Sequence, residues 1–172
     1  PVTQATLKVV GAFLGLSRDR ANARRYPSIG PLGSWSKYTP LVDAQQVHKA
    51  ADLLQKGNDV AQMMTVVGEE GTTISDYVVN LKGEFLDSVY LQQNTFDEVD
   101  CATSQERQKY CFGKIVEVLD ADMEFSDKEE ARNYFGELRQ KFVDWNYTAW
   151  DSEEFKKTEQ EIDEVLQRKK SA

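Results

Sequence analysis

Two patterns of hydrophobic and polar positions divide this chain. Up to residue 16 the apolar residues run together in LKVVGAFLGL (7–16), a block with two glycines, bounded by Gln-Ala-Thr and by SRDR. By length and composition it fits a buried strand at least as well as a helix. Ser17 is then placed to cap a helix reaching Arg25. The stretch YPSIGPLGSWSKYTP (26–40) carries Pro27, Pro31, Pro40, Gly30 and Gly33. Such a density predicts a long irregular connection and the best domain boundary in the chain. A strand–helix–loop of this kind cannot bury itself alone, so it reads as the last piece of an α/β domain.

After residue 40 the period changes to that of a helix. VDAQQVHKAADLLQKG sets Val47, Ala50, Ala51 and Leu54 on one face and is expected to stop at Gly57, with NDVAQMMTVVG a second, shorter helix closed by Gly68. TTISDYVVNLKGEFLDSVYL aligns Ile74, Tyr77, Val78, Leu81, Phe85 and Val89, with Thr73 and Asp76 at capping-box spacing. The same spacing recurs at Thr103–Glu106, Ser126–Glu129 and Asp151–Glu154, each ahead of an apolar stripe. Ala131, Phe135, Leu138 and Phe142 form one stripe; Phe155, Ile162, Val165 and Leu166 form another. Aromatic residues at this spacing are packing residues, so Tyr77, Phe85, Tyr134, Phe135 and Phe142 are assigned to the core. The mixed Glu/Lys face of 153–170 reads as solvated. These signals agree on a mainly α chain, a bundle of about six helices over 39–172 preceded by the strand–helix–loop piece 1–38.

Composition narrows the class. A chain of 172 residues, 40% hydrophobic and 29% charged, fits a soluble globular domain or one domain plus part of another. No apolar run approaches the roughly 18–20 residues that span a bilayer. PVTQATLKVV lacks the basic start and cleavage site of a signal peptide, and a beginning at Pro1 is expected to be a cut inside a longer chain. Cys101, Cys111 and the single His48 make neither a disulfide framework nor a zinc spacing, so free thiols in a cytosolic chain are expected. The net charge is −8, yet residues 1–38 carry Lys8, Arg18, Arg20, Arg24, Arg25 and Lys37 against Asp19 alone. RDRANARR has no interleaved aromatics, and the acidic remainder would repel phosphate, so nucleic-acid binding is not expected.

Catalytic motifs are missing. No GxxxxGK[ST] occurs, and Gly113–Lys114 lies inside a helical stretch where its amides could not cradle phosphates. There is no HExxH, no paired-Cys motif and no Gly-rich dinucleotide motif, so no catalytic or metal residue is assigned. What stands out is YLQQNTFDEVD (90–100): amides and one Phe at a helix boundary, followed by Asp97, Glu98 and Asp100.

Two stretches resemble a known family. PVTQATLKVVGAFLGLSRDRANARRYPSIGPLGSWSKY is similar to the end of the nucleotide-binding domain in the catalytic A (alpha) subunit of V-type and archaeal-type rotary ATPases. LQQNTFDEVD (91–100) resembles a string specific to that subunit. The likeness is read over residues 1–100, with the last seventy departing from the commoner family pattern after Asp100. It implies that 1–38 ends an incomplete nucleotide-binding domain and that 39–172 is the C-terminal helical domain.

The same resemblance implies ATP or ADP with Mg²⁺ in the full-length subunit, an ATPase or ATP synthase that moves H⁺ or Na⁺. The phosphate-binding loop and catalytic carboxylates are expected upstream, so this fragment alone should be inactive and hold no nucleotide tightly. B subunits in an alternating A3B3 ring and the central stalk are the implied partners. The implied location is cytoplasmic and peripheral on a membrane-bound complex, without direct insertion. An adenine pocket is implied at Tyr26, Gln92, Gln93, Asn94 and Phe96: rings for the two π-faces of a purine, amides for its polar edge. Asp97, Glu98 and Asp100 are expected to face away from phosphate. Rival readings are a helical interaction module and the noncatalytic B-type paralogue, the latter disfavoured by LQQNTFDEVD.

Overall fold

The computed structural model describes residues 2–169; Pro1 and residues 170–172, which belong to the two spans just named, lie outside the described residues. The order is α1 (Val2–Val9), β1 (Ala12–Phe13), α2 (Arg18–Asn22), β2 (Trp35–Ser36), α3 (Ala44–Val67), α4 (Ile74–Leu86), a π-helical turn (Asp87–Leu91), α5 (Gln105–Asp120), α6 (Lys128–Tyr147) and α7 (Glu153–Gln167). The chain is mainly α, as its periodicity predicts.

The apolar block 7–16 is not a buried strand. Its start belongs to α1; Ala12 and Phe13, both exposed, pair antiparallel with Ser36 and Trp35, and Leu16 makes a single bridge to Ile29. A strand is buried by neighbours on both edges and a covered face, and β1 has one short partner among the described residues. Val9, Leu14 and Leu16 are accordingly exposed. Ser17 does cap α2, its hydroxyl accepting from the Arg20 amide, but α2 ends at Asn22 instead of reaching Arg25. Arg24 stands in the left-handed region (φ 56°), a conformation that stops a helix and turns the chain.

The stop expected at Gly57 is also absent, because α3 runs on to Val67 and closes at Gly68, where φ is 80°. Gly57 is buried where α3 crosses α4: a methyl placed there would lie 3.4 Å from the Val79 carbonyl and 3.5 Å from Gly83 Cα. Close backbone approach, not punctuation, explains this glycine. The two predicted helices are therefore one.

The capping boxes are real, with shifts. Thr73 caps α4 as expected, its hydroxyl accepting from the Asp76 amide at 3.1 Å. In the other three the cap falls one residue later: Ser104, Asp127 and Ser152 accept from the amides of Arg107, Glu130 and Phe155. Each shifted site holds two adjacent residues able to cap. In each, the later residue has the extended backbone and makes the capping hydrogen bond.

Helix α4 is central, packed against α3, α5 and α6, with α7 laid on α6. Phe85, Phe142, Trp145, Leu138 and Ile162 are essentially fully buried. Phe85 meets Phe142 edge-on at 5.0 Å, and Trp145 stacks on Phe155 at 4.6 Å. Burying each such side chain contributes roughly 1.5–3 kcal/mol. All eight residues of the two predicted stripes of α6 and α7 lie in this core.

Candidate functional site

Where α4 would end, the backbone widens. In the π turn 87–91 the Gln92 N–H reaches the Asp87 carbonyl at 3.0 Å, and Gln92 itself is extended. Such turns release a helix with its register shifted, and they recur at functional sites. The next amide, Gln93 N–H, donates to the Tyr26 carbonyl at 2.8 Å. Two stretches 67 positions apart, each singled out in the sequence, thus touch through their backbones. Tyr26 precedes a cis Pro27 and leaves half its surface open.

Residues 94–101 fold into a compact turn. Asn94 Oδ1 accepts from the Phe96 amide at 3.1 Å, and the Asn94 amide donates to Asp100 Oδ2 at 2.6 Å. Asp97 Oδ1 accepts from the amides of Val99 and Asp100. Of the acidic cluster, Glu98 is exposed. Asp97 is half-buried and Asp100 buried, because both carboxylates fold back to satisfy the amides of their own turn. Burial raises the Asp100 carboxyl above its ordinary range, more than the Asn94 amide lowers it. Phe96 stands at the tip of the turn, 96% exposed.

Behind the turn lies a cavity of about 190 Å³ lined by Gln92, Gln93, Asp100, Arg107, Cys111 and Asn146, among others. The Gln93 side-chain amide donates to the Asp100 carbonyl at 3.1 Å; that of Gln92 makes no hydrogen bond among the described residues. Arg107 is buried and donates to the carbonyls of Trp145 (3.1 Å) and Asn146 (2.8 Å), closing the C-terminal end of α6. Asn146 in turn donates to the Val89 carbonyl at 2.8 Å. Burial pushes the Cys111 thiol up to about 11, so it is inert. Cys101 is free and exposed.

A second contact holds the N-terminal segment to the bundle. Arg20 Nη1 and Arg25 Nη1 donate to the two oxygens of Asp87, whose side chain is 10% exposed. The three line a cleft of about 450 Å³ between residues 17–33 and helices α3 and α4. The sequence reading left all three without a role. Their signal was an acid flanked by Phe85, Leu86 and Val89 at the end of an apolar stripe, matched by a basic cluster short of acids.

Among the described residues no group of three or more His, Cys, Asp or Glu could hold a metal ion. No described helix is long and apolar enough to cross a membrane.

The fold is one of packed helices that presents an amide-bearing segment against an irregular N-terminal strap, the class of an α-helical domain. The model of the family described as the C-terminal domain of V and A type ATP synthase matches residues 44–132, and the chain belongs to that family. It is 55% identical over 167 residues to the V-type ATP synthase alpha chain 1 of Treponema pallidum, and 52% identical over 169 residues to the V-type ATP synthase alpha chain of Treponema denticola. These alignments cover 97% and 98% of the chain, so the likeness does not stop at Asp100. The chain spans 28% and 29% of those two relatives. Among solved structures, one titled as a unique ATP synthase subunit NeqB from Nanoarcheaum equitans shares the fold, with a TM-score of 0.55 at 22% identity over 70% of this chain and 32% of that one.

Proposed function

We propose that this chain forms the adenine end of the ATP site in the catalytic subunit of a V-type, ion-translocating rotary ATPase or ATP synthase. Residues 1–38 are the end of its nucleotide-binding domain and 39–172 its helical domain. The observation that carries the reading is the hydrogen bond between Gln93 N–H and the Tyr26 carbonyl, which joins the two predicted halves of the pocket. Tyr26 and Phe96 both offer open rings for base stacking. Since the Gln93 amide is committed to Asp100, Gln92 is the amide available to a purine edge. Asn94 shapes the turn and presents Phe96.

The described residues fit a base and not the rest of the nucleotide. No GxxxxGK[ST] loop occurs in the sequence, and this reading places the phosphate and Mg²⁺ chemistry in the remainder of the subunit. The chain alone is inert. Its partners are B subunits in an alternating ring and the central stalk, within a cytoplasmic assembly peripheral to the membrane. Swing of the helical domain with nucleotide state couples the site to rotation.

Steady-state ATP hydrolysis by the reconstituted complex tests this. Stacking on a base is worth about 1–3 kcal/mol and acts on ground and transition states alike, so Phe96→Ala should raise KM roughly 5- to 150-fold with kcat within a few-fold. Phe96→Tyr keeps a ring and should be mild. Gln92→Ala should narrow the preference for ATP over GTP. Unchanged KM in both Phe96→Ala and Tyr26→Ala would return the segment to a plain helix terminus.

A further inference from the structure

Asp87 links the N-terminal segment to the π turn, beside the Gln93–Tyr26 contact that joins the two halves of this pocket. Its carboxylate receives one guanidinium from within α2 and one from just beyond it, and its carbonyl receives the Gln92 amide that closes the π turn. Six residues on, Gln93 meets the carbonyl of Tyr26, the residue directly after Arg25. The ring is closed: Arg25 to Asp87, Asp87 through the π turn to Gln93, Gln93 back to Tyr26. Arg20 is committed to this ring. Its side chain is 11% exposed, and its Nε and Nη2 are buried without an acceptor. Asp87 is thus its sole carboxylate partner among the described residues.

Resting on the adenine reading above, we propose that Asp87 is a positioning residue for nucleotide binding. Clamped by Arg20 and Arg25, it fixes the π turn and thereby sets where Gln92, Gln93 and Phe96 lie relative to Tyr26. A buried carboxylate shared by two guanidiniums is directional, because each oxygen accepts from one fork. Loss of the carboxylate leaves a buried cation unpaired and frees the turn to rewind toward an ordinary helix, which would shift the register of everything after it.

The test uses the reconstituted full-length complex and two readouts. Amide hydrogen exchange over the peptide spanning 87–96 reports the clamp directly, and ATP hydrolysis reports its use. Asp87→Asn should speed exchange in that peptide while leaving α5 and α6 unchanged. It should raise KM on the order of tenfold, within the roughly 5- to 150-fold expected for losing the base stack itself, with kcat within a few-fold. Arg25→Met should act in the same direction and less, because Arg20 remains. Asp87→Glu should recover part of the KM. Should Asp87→Asn fail to assemble, Arg20→Met and Arg25→Met decide by the same readouts. Unchanged exchange in 87–96 overturns the clamp. Faster exchange with unchanged KM, in a complex where Phe96→Ala does raise KM, overturns its role in nucleotide binding and leaves the adenine reading standing. Unchanged KM in both Phe96→Ala and Tyr26→Ala removes the adenine reading, and this assignment with it, whatever the exchange shows.

Discussion

Asp100 shows how a charged residue of a recognisable string can serve the backbone instead of a ligand. Its carboxylate is buried against the Asn94 amide, and burial holds its carboxyl above the ordinary range. A carboxyl raised in the folded state binds its proton more readily there than in the unfolded chain. Its own contribution to stability therefore increases as pH falls through the raised value, and levels off below the unfolded one near pH 4. Urea midpoints of wild type and Asp100→Asn between pH 7 and pH 4 measure this group alone, since the other carboxylates cancel in the comparison. Wild type should gain on the variant as pH falls. A wild type that loses ground would show that charge pairing, which Arg107 favours, outweighs burial. From the string alone, the acids could be read only as charge to be kept from phosphate. Nothing in the spacing tells that Asp97 and Asp100 fold back on their own amides.

Among the elements, α3 departs furthest from its sequence pattern. Glycine costs about 1 kcal/mol in a helix interior relative to alanine, which makes Gly57 read as a stop. The helix continues because Gly57 and Gly83 let two backbones approach, and the packing of α3 on α4 repays that cost. The distances set an unusual expectation. An added methyl at Gly57 meets its neighbours at 3.4 Å and beyond, which is ordinary contact. Gly57→Ala should therefore be neutral or stabilising by up to about 1 kcal/mol. Gly57→Leu should cost about 1–3 kcal/mol by forcing the helices apart. Thermal or urea unfolding followed by circular dichroism measures both, and a Gly57→Ala variant as damaged as Gly57→Leu would mean the crossing is tighter than drawn. The helix caps make the same point more mildly. Where Thr103 and Ser104, Ser126 and Asp127, or Asp151 and Ser152 compete, spacing signals a cap, and only the folded backbone selects between neighbours.

For the whole molecule, the two spans differ in how they are held. Residues 44–169 bury their stripes against one another, whereas residues 2–38 hold no fully buried residue among those described and touch the bundle through Asp87 and Gln93. A chain beginning at Thr39 should keep a cooperative melt. It should also become more monodisperse, because the exposed Val9, Leu14, Leu16 and the short strand edge are gone. Calorimetry and sedimentation velocity on the two chains measure this. Loss of the cooperative transition would show that the N-terminal span is part of the core.

The mainly α character, the core stripes of α4, α6 and α7, and the existence of a cap ahead of each predicted stripe are properties of the sequence by itself. Period and capping chemistry act within a few residues and need no partner. The family resemblance was equally legible, because LQQNTFDEVD is a local string. The conformation of residues 7–16, the continuity of α3 and the burial of Asp100 were decided by tertiary structure. So was the pairing of Arg20 and Arg25 with Asp87, across more than sixty positions. A strand needs an edge to pair with, a helical glycine needs a facing backbone, and a buried carboxylate needs cations brought to it. None of these can be read from neighbours in the chain, because each depends on what the fold places opposite.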